Sequence, residues 1–234
     1  MSLLLWPGRS PMFPPRDQVR PRPDGLVGLG GDLRQRTLLE AYRKGIFPWD
    51  GKQPIPWYSP DPRMVLFPSA FHASRSLRKL RRQGHLEVRE DSRFVDVMTA
   101  CAATPRPGQK GSWITPSMIR AYSALHQRGI AHSIEVYSQE GLVGGLYGLA
   151  LGGVFFGESM FHTRRDASKL ALWHLCERLV TWGFVLIDCQ QQTGHLARMG
   201  ARPIPRAEFL LHLEDAVDVA GRWGRTRHAA FLKP

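Results

Sequence analysis

Between Glu140 and Glu158 the chain carries no charge, and glycines at 144, 145, 148, 152 and 153 punctuate an otherwise apolar run. Glycine in a helix interior costs up to about 1 kcal/mol, and Gly152-Gly153 is a tight-turn signal. The run Gly141–Gly157 therefore predicts two buried strands joined as a hairpin. The period then changes. Leu170, Ala171, Leu175, Leu179 and Trp182 fall on one stripe, with Lys169, Glu177 and Arg178 off it, which predicts a helix over Ala167–Trp182 capped by Gly183. Phe184–Ile187 is apolar again, so a strand is predicted that ends at Asp188. Ligands of open α/β sheets bind at that end of the strands. Alternation puts Asp188 and Gln190 on one face and Cys189 on the other. A carboxylate beside an amide makes this pair the leading catalytic candidate.

Elsewhere the pattern is shorter in range. Prolines at 7, 11, 14, 15, 21 and 23 predict an extended arm without regular structure over residues 1–25. GLVGLGGDL (25–33) lacks the Lys-Ser/Thr of a P-loop and reads as a turn. It feeds a helix over Leu38–Lys44 with Thr37 as N-cap and Gly45 as C-cap. Phe47-Pro48-Trp49 and Pro54–Pro60 hold aromatics between prolines, which fits either a plug at a domain interface or a platform for stacking a flat ligand. A base on an aromatic side chain gains about 1–3 kcal/mol. Helices are also predicted over Ser92–Ala103, with Phe94, Val95, Met98 and Cys101 inward, and from Thr115 (N-cap) and Pro116 through Met118, Tyr122 and Leu125 to Gly129. Ser133–Tyr137 reads as a strand, Thr193–Ala201 contains a short helix, and Leu210, Leu211 and Leu213 belong to a last one. Arg106-Pro107-Gly108 is a loop, and Arg222–Pro234 a loose basic tail.

Composition changes this picture in one respect. A chain of 234 residues with 43% hydrophobic and 22% charged positions is ordinary for a globular protein, but 32 Lys and Arg against 20 Asp and Glu leave a net charge of +12. Such a surplus favours a polyanionic partner, nucleic acid before anionic membrane. It is concentrated in Ser74–Gly84, where Arg75, Arg78, Lys79, Arg81 and Arg82 surround an inward Leu77 and Leu80 with no acidic residue among them. Like charges a helical turn apart repel, so this face is a candidate for phosphate binding. Three cysteines without CxxC spacing read as reduced thiols of a cytosolic protein. The nine histidines show no metal spacing, so no metal and no cofactor are expected. The N-terminal apolar run is too short for a signal peptide, and 141–157 is short and glycine-rich for a membrane span.

Five blocks resemble one family, the bacterial leucyl/phenylalanyl-tRNA–protein transferases: 25–49, 54–68, 113–129, 144–161, and LIDCQ with TGHL and GA within 186–201. The resemblance implies a mixed α/β fold, with a small N-terminal domain (1–62) and a GCN5-related acetyltransferase-like catalytic domain (63–234). It implies transfer of Leu or Phe, less readily Met, from aminoacyl-tRNA to the α-amine of proteins with N-terminal Arg or Lys, marking them for N-end rule degradation by a cytoplasmic monomer. By position, Asp188 and Gln190 match the catalytic pair, Glu158 the acidic residue beside it, and Trp49 and Trp113 the tryptophans that hold the terminal adenosine. Tyr122, Leu146, Phe155, Met160, Leu175 and Leu179 match the pocket for the transferred side chain. Rival readings are an acyl-CoA-dependent N-acetyltransferase and a non-catalytic RNA-binding module. Phe161–Ser168 lacks the glycines that let backbone amides cradle a pyrophosphate, and an RNA-binding module gives no reason for Asp188 and Gln190 at a strand end.

Overall fold

The computed structural model describes residues 4–6, 12–105 and 111–224; the predicted loop Arg106–Gly108 and the tail beyond 224 lie outside them. The N-terminal part contains β1 (Leu4–Trp6), β2 (Leu26–Gly30), α1 (Gln35–Arg43), β3 (Phe47–Pro48) and β4 (Pro56–Tyr58). Its four strands form one sheet in the order β1-β2-β4-β3. The predicted structureless arm is corrected here: β1 pairs in parallel with β2, and Phe13 and Val19 are buried in the core. The glycines of the 25–31 segment serve that pairing. A Cβ on Gly28 would lie 2.5 Å from the Trp6 ring, and one on Gly30, at φ +106°, would lie 2.1 Å from the Trp6 carbonyl oxygen. Helix α1 begins earlier than expected, and Thr37 sits inside it, its hydroxyl donating to Asp32 Oδ1 at 2.7 Å.

The remaining elements are β5 (Arg63–Leu66), α2 (Arg75–Arg82), β6 (Glu87–Glu90), α3 (Phe94–Ala103), α4 (Pro116–His126), β7 (Ala131–Ser138), β8 (Gly141–Leu151), β9 (Val154–His162), α5 (Ala167–Trp182), β10 (Leu186–Gln190), α6 (Gly194–Ala197), β11 (Arg202–Ile204) and α7 (Arg206–Ala216). Seven strands form a mixed sheet in the order β11-β5-β10-β9-β8-β7-β6. β8 and β9 are the predicted hairpin turning at Gly152, and α5 has the predicted bounds, with Gly183 in the left-handed region at φ +75°. α5 is the crossover that lets β10 lie parallel to β9. Thr115 caps α4 as expected, accepting from the Met118 amide.

Alternation along the central strands feeds two cores. Phe155 and Ile187 pack with Leu170, Leu172 and Leu175 of α5, whereas Phe156 and Leu186 belong to the cluster of Leu38, Tyr42, Phe94, Met118, Tyr122 and Phe209 on the opposite side. That second core runs from the small sheet into the large one without a break. One inward assignment fails, and the last helix turns one of its three leucines outward. Val95 is 48% exposed because α3 turns Val97 to the core, and Leu211 is 64% exposed while Leu213 is buried. The start of the tail is not loose: the Trp223 ring stacks on His132 at 3.9 Å and lies 4.7 Å from Trp182.

Candidate active site

β10 pairs with β9 through Leu186–Val154, Ile187–Phe155 and Asp188–Phe156, where the recorded ladder ends. Both strands are irregular at this point. β9 shifts register against β8 around Glu158, and β10 shifts against β5 between Asp188 and Gln190, with Gln190 at φ +62°. Where the ladder gives out, the two strands are bridged by side chains: Gln190 Nε2 donates to Glu158 Oε1 at 2.9 Å. A cavity of about 360 Å³ opens here, within the range for small-ligand sites. Leu146, Phe155, Met160, Leu172, Leu175 and Ile187 form its apolar side; Glu158, Gln190, Thr193 and His195 contribute polar groups; Phe47, Pro48, Trp49 and Trp113 form another wall.

Local folding places each group. Trp49 follows β3 and packs at 4.9 Å from the Tyr58 ring. The Gly51 amide donates to the Trp113 carbonyl at 3.4 Å, tying the two tryptophan segments together. Glu158 is buried, accepting from the Tyr42 hydroxyl at 2.7 Å and from Tyr122 at 3.3 Å, and the two hydroxyls are themselves 2.6 Å apart. Burial raises the Glu158 carboxyl to about 7; the nearby negative Asp188 adds to the rise, and the hydrogen bonds from Tyr42, Tyr122 and Gln190 oppose it. Burial also pushes both tyrosines well above their ordinary range. His195 is lowered by its own burial and by the charges of Lys169 and Arg198.

Asp188 does not share a face with Gln190, contrary to the alternation reading. Its carboxylate is fully buried on the face away from the cavity. Arg63 Nε reaches Oδ1 at 2.8 Å and Arg63 Nη2 reaches Oδ2 at 2.6 Å. The guanidinium lies between the rings of Phe47 and Phe209, 4.8 and 4.6 Å from their centroids, and Nη1 donates to the Gly45 carbonyl. Asp188 touches Gln190 only through the backbone, its Oδ1 accepting from the Gln190 amide at 2.9 Å. The irregularity at Cys189 turns the Gln190 side chain to the cavity, and Cys189, opposite Asp188 as expected, lines it too. Burial raises the Cys189 thiol far above its usual range, which argues against a thiolate nucleophile.

Of the expected pocket residues, Leu146, Phe155, Met160 and Leu175 line the cavity with Trp49, Trp113 and Glu158. Tyr122 and Leu179 do not: Tyr122 stands behind Glu158, and Leu179 is fully buried in the α5 core. The five cations of α2 are exposed and absent from the lining. Arg81 is already paired, bidentate to Glu177 of α5 at 2.5 and 2.9 Å and 4.3 Å over the Trp173 ring, so Arg75, Arg78, Lys79 and Arg82 carry the unbalanced charge. Sequence reasoning missed Tyr42, Arg63, Leu172 and His195. Among the described residues no cluster of His, Cys, Asp and Glu could hold a metal, and no helix is long and apolar enough to cross a membrane.

Residues 65–214 match the model of the leucyl/phenylalanyl-tRNA protein transferase family, and 31–61 match that of its N-terminal domain. The leucyl/phenylalanyl-tRNA–protein transferase of Nitrosospira multiformis is 53% identical over 94% of this chain and 95% of its own length. That of Nitratidesulfovibrio vulgaris is 52% identical over 97% of each chain, and that of Dechloromonas aromatica 55% identical over 86% and 87%. Among solved structures, a GCN5-related N-acetyltransferase from Kribbella flavida aligns over 69% of this chain and 58% of its own, with 10% identity and a TM-score of 0.36. The chain belongs to the leucyl/phenylalanyl-tRNA–protein transferase family.

Proposed function

We propose that this aminoacyltransferase moves leucine or phenylalanine, and methionine less readily, from charged tRNA to the α-amine of proteins beginning with Arg or Lys, marking them for N-end rule degradation in the cytoplasm. The observation that carries the reading is the cavity, which brings together an apolar lining, two tryptophans, an amide and a carboxyl. The transferred side chain occupies the Leu146, Phe155, Met160 and Leu175 side. The terminal adenosine stacks on Trp49 and Trp113, and the exposed cations of α2 meet tRNA phosphates.

The reaction needs placement more than a strong base. An α-amine has a reference pKa of about 7.7–8.0, so a sizeable minority is free base at neutral pH. Its nitrogen attacks the ester carbonyl, the C–N bond forms, and the bond to the ribose oxygen breaks. Because Gln190 spends its NH₂ on Glu158, its carbonyl oxygen is left to accept from the incoming amine and orient it. Asp188 fixes the left-handed backbone of Gln190 and acts through it. Glu158 adds negative character that favours a cationic acceptor. The protein acts as a monomer and requires no cofactor, since the activated ester supplies the driving force.

Acyl-CoA chemistry fits poorly. The N-terminus of α5, where a pyrophosphate would sit, holds the Asp166 carboxylate, 8% exposed and paired with Lys169 at 2.5 Å. Incubation with leucyl-tRNA and an arginyl peptide should add one leucine to the peptide, and acetyl-CoA should give no acetylation. Acetylation without leucine transfer would replace this reading, and tRNA binding without either would leave the RNA-binding module.

A further inference from the structure

We propose that Glu158 is the proton acceptor of the transfer reaction, its carboxylate taking the proton that the attacking amine must lose, with Tyr42 and Tyr122 as its positioning residues. The inference rests on the aminoacyl-transfer reading and assigns its proton.

The argument is a count of hydrogens. Oε1 accepts from Tyr42 and from Gln190, at 2.7 and 2.9 Å, whereas among the described residues Oε2 meets the Tyr122 hydroxyl at 3.3 Å. With the Tyr42–Tyr122 contact of 2.6 Å these oxygens close a loop of three contacts. Each phenol owns one hydrogen, so the two tyrosines fill only two contacts at a time: Tyr42 donates to Oε1, and the Tyr122 hydrogen serves either Tyr42 or Oε2, not both. One of the two Tyr122 contacts therefore always stays unfilled. A proton arriving on Oε2 lets Glu158 donate to the Tyr122 oxygen, and every contact then holds one hydrogen. The site is built to be satisfied in the protonated state and one hydrogen short in the charged state.

The surrounding charges agree. Among the described residues no Lys, Arg or His lies within ion-pair distance of Glu158. The tyrosines face it from α1 and α4. Asp188 on β10 opposes its charge, and the positive Arg63 on β5 is bidentate to Asp188. Tyr147 on β8, Cys189 on β10 and His195 on α6 line the same cavity. Asp188 cannot take the role, because its oxygens are bound to Arg63 and to the Gln190 amide on the far face. In the step itself, the amine nitrogen bonds to the ester carbon and its proton passes to the Glu158 carboxylate, which lines the cavity. The carbon–oxygen bond to the ribose then breaks, and the leaving oxygen recovers that proton, directly or through its vicinal hydroxyl. The products are an amide, a free ribose hydroxyl and the original carboxylate.

The test is a single-turnover rate from about pH 5.5 to 8.5, since the pH profile reports the essential base. The acceptors are an arginyl peptide and its aminooxy-terminated analogue, whose nitrogen is a far weaker base and stays neutral across the range. With the analogue, the wild-type rate should rise and level near neutrality. Glu158→Gln should be at least about tenfold slower and flat. Glu158→Asp should be slower but keep the rise, which covers the case where Glu158→Gln fails to fold. Tyr42→Phe, which deprives the carboxylate of its best donor, should move the rise to higher pH. A Glu158→Gln enzyme that keeps the same rise, or a Glu158→Asp enzyme without it, overturns the assignment. Wild-type failure to transfer leucine to the arginyl peptide would instead refute the aminoacyl-transfer reading.

Discussion

The two sides of β10 treat buried carboxyls in opposite ways. Behind the strand, Asp188 meets a guanidinium through two hydrogen bonds, with aromatic rings on both sides of the cation. In front of it, among the described residues, Glu158 meets neutral groups, two hydroxyls and an amide. A buried carboxylate paired with arginine keeps its charge and has no free valence for chemistry. A buried carboxyl among neutral dipoles sits near the balance point between its two forms. Burial alone therefore does not mark a catalytic acid or base; the charge of the partner does. The sheet separates an ion-paired carboxylate from a carboxyl among neutral partners by the thickness of one strand.

The largest effect expected is on the ion pair. Arg63→Ala leaves Asp188 buried and unpaired, and should cost about 3–5 kcal/mol in urea unfolding. Arg63→Met combined with Asp188→Leu should recover most of that stability but not the transfer rate, because the Gln190 backbone loses its clamp. A stable, fully active double variant would erase the contrast between the two sides.

The front side predicts a stability with the opposite pH sense. Glu158 is held near 7 in the fold against an ordinary value of 4.5. Below that ordinary value folded and unfolded chains are both protonated. Above it the unfolded chain releases a proton that the fold retains until about 7, so this group's contribution to stability falls through that window. Glu158→Gln removes the liability. It should be more stable than wild type at about pH 8, by up to roughly 3 kcal/mol, with no such advantage at about pH 4. An advantage independent of pH would mean that packing, not charge, sets the difference.

Much of the frame is written locally. The β8–β9 hairpin and α5 follow from glycine placement and a clean period, because Gly152 and Gly183 are needed where they fall. The site is less legible, since its geometry depends on partners distant in sequence. Tyr42 reaches Glu158 across 116 positions, and Arg63 reaches Asp188 across 125. No periodicity announces either contact. Alternation failed at Asp188-Cys189-Gln190 because a left-handed residue resets the face of the strand, and a glutamine gives no warning of it. The charge of α2 was overcounted for the same reason: Glu177, which neutralises Arg81, lies on another helix.

Smaller effects sharpen the cavity's own division. Met160→Ala should narrow discrimination between leucine and valine donors by about 1–3 kcal/mol in relative kcat/KM. Unchanged selectivity would make Met160 ordinary packing. Smallest of all, Arg82→Ala should lower the slope of log affinity for charged tRNA against log salt by roughly one unit. Arg81→Ala should change it less, because Glu177 already holds that charge. Equal slopes for both variants would remove α2 from the tRNA surface.

The central claim is that Gln190 works by its side chain and Asp188 only through the backbone behind it. The most direct test is the single-turnover transfer of leucine from tRNA to an arginyl peptide by Gln190→Ala, with unfolding measured on the same protein. Loss of an orienting hydrogen bond predicts a rate lower by roughly ten- to a hundredfold. The Kd for charged tRNA should be unchanged, and the unfolding free energy should fall by no more than about 1 kcal/mol, the ordinary worth of the one hydrogen bond lost. A variant that transfers leucine at the wild-type rate, or that loses stability as Arg63→Ala does, would contradict it.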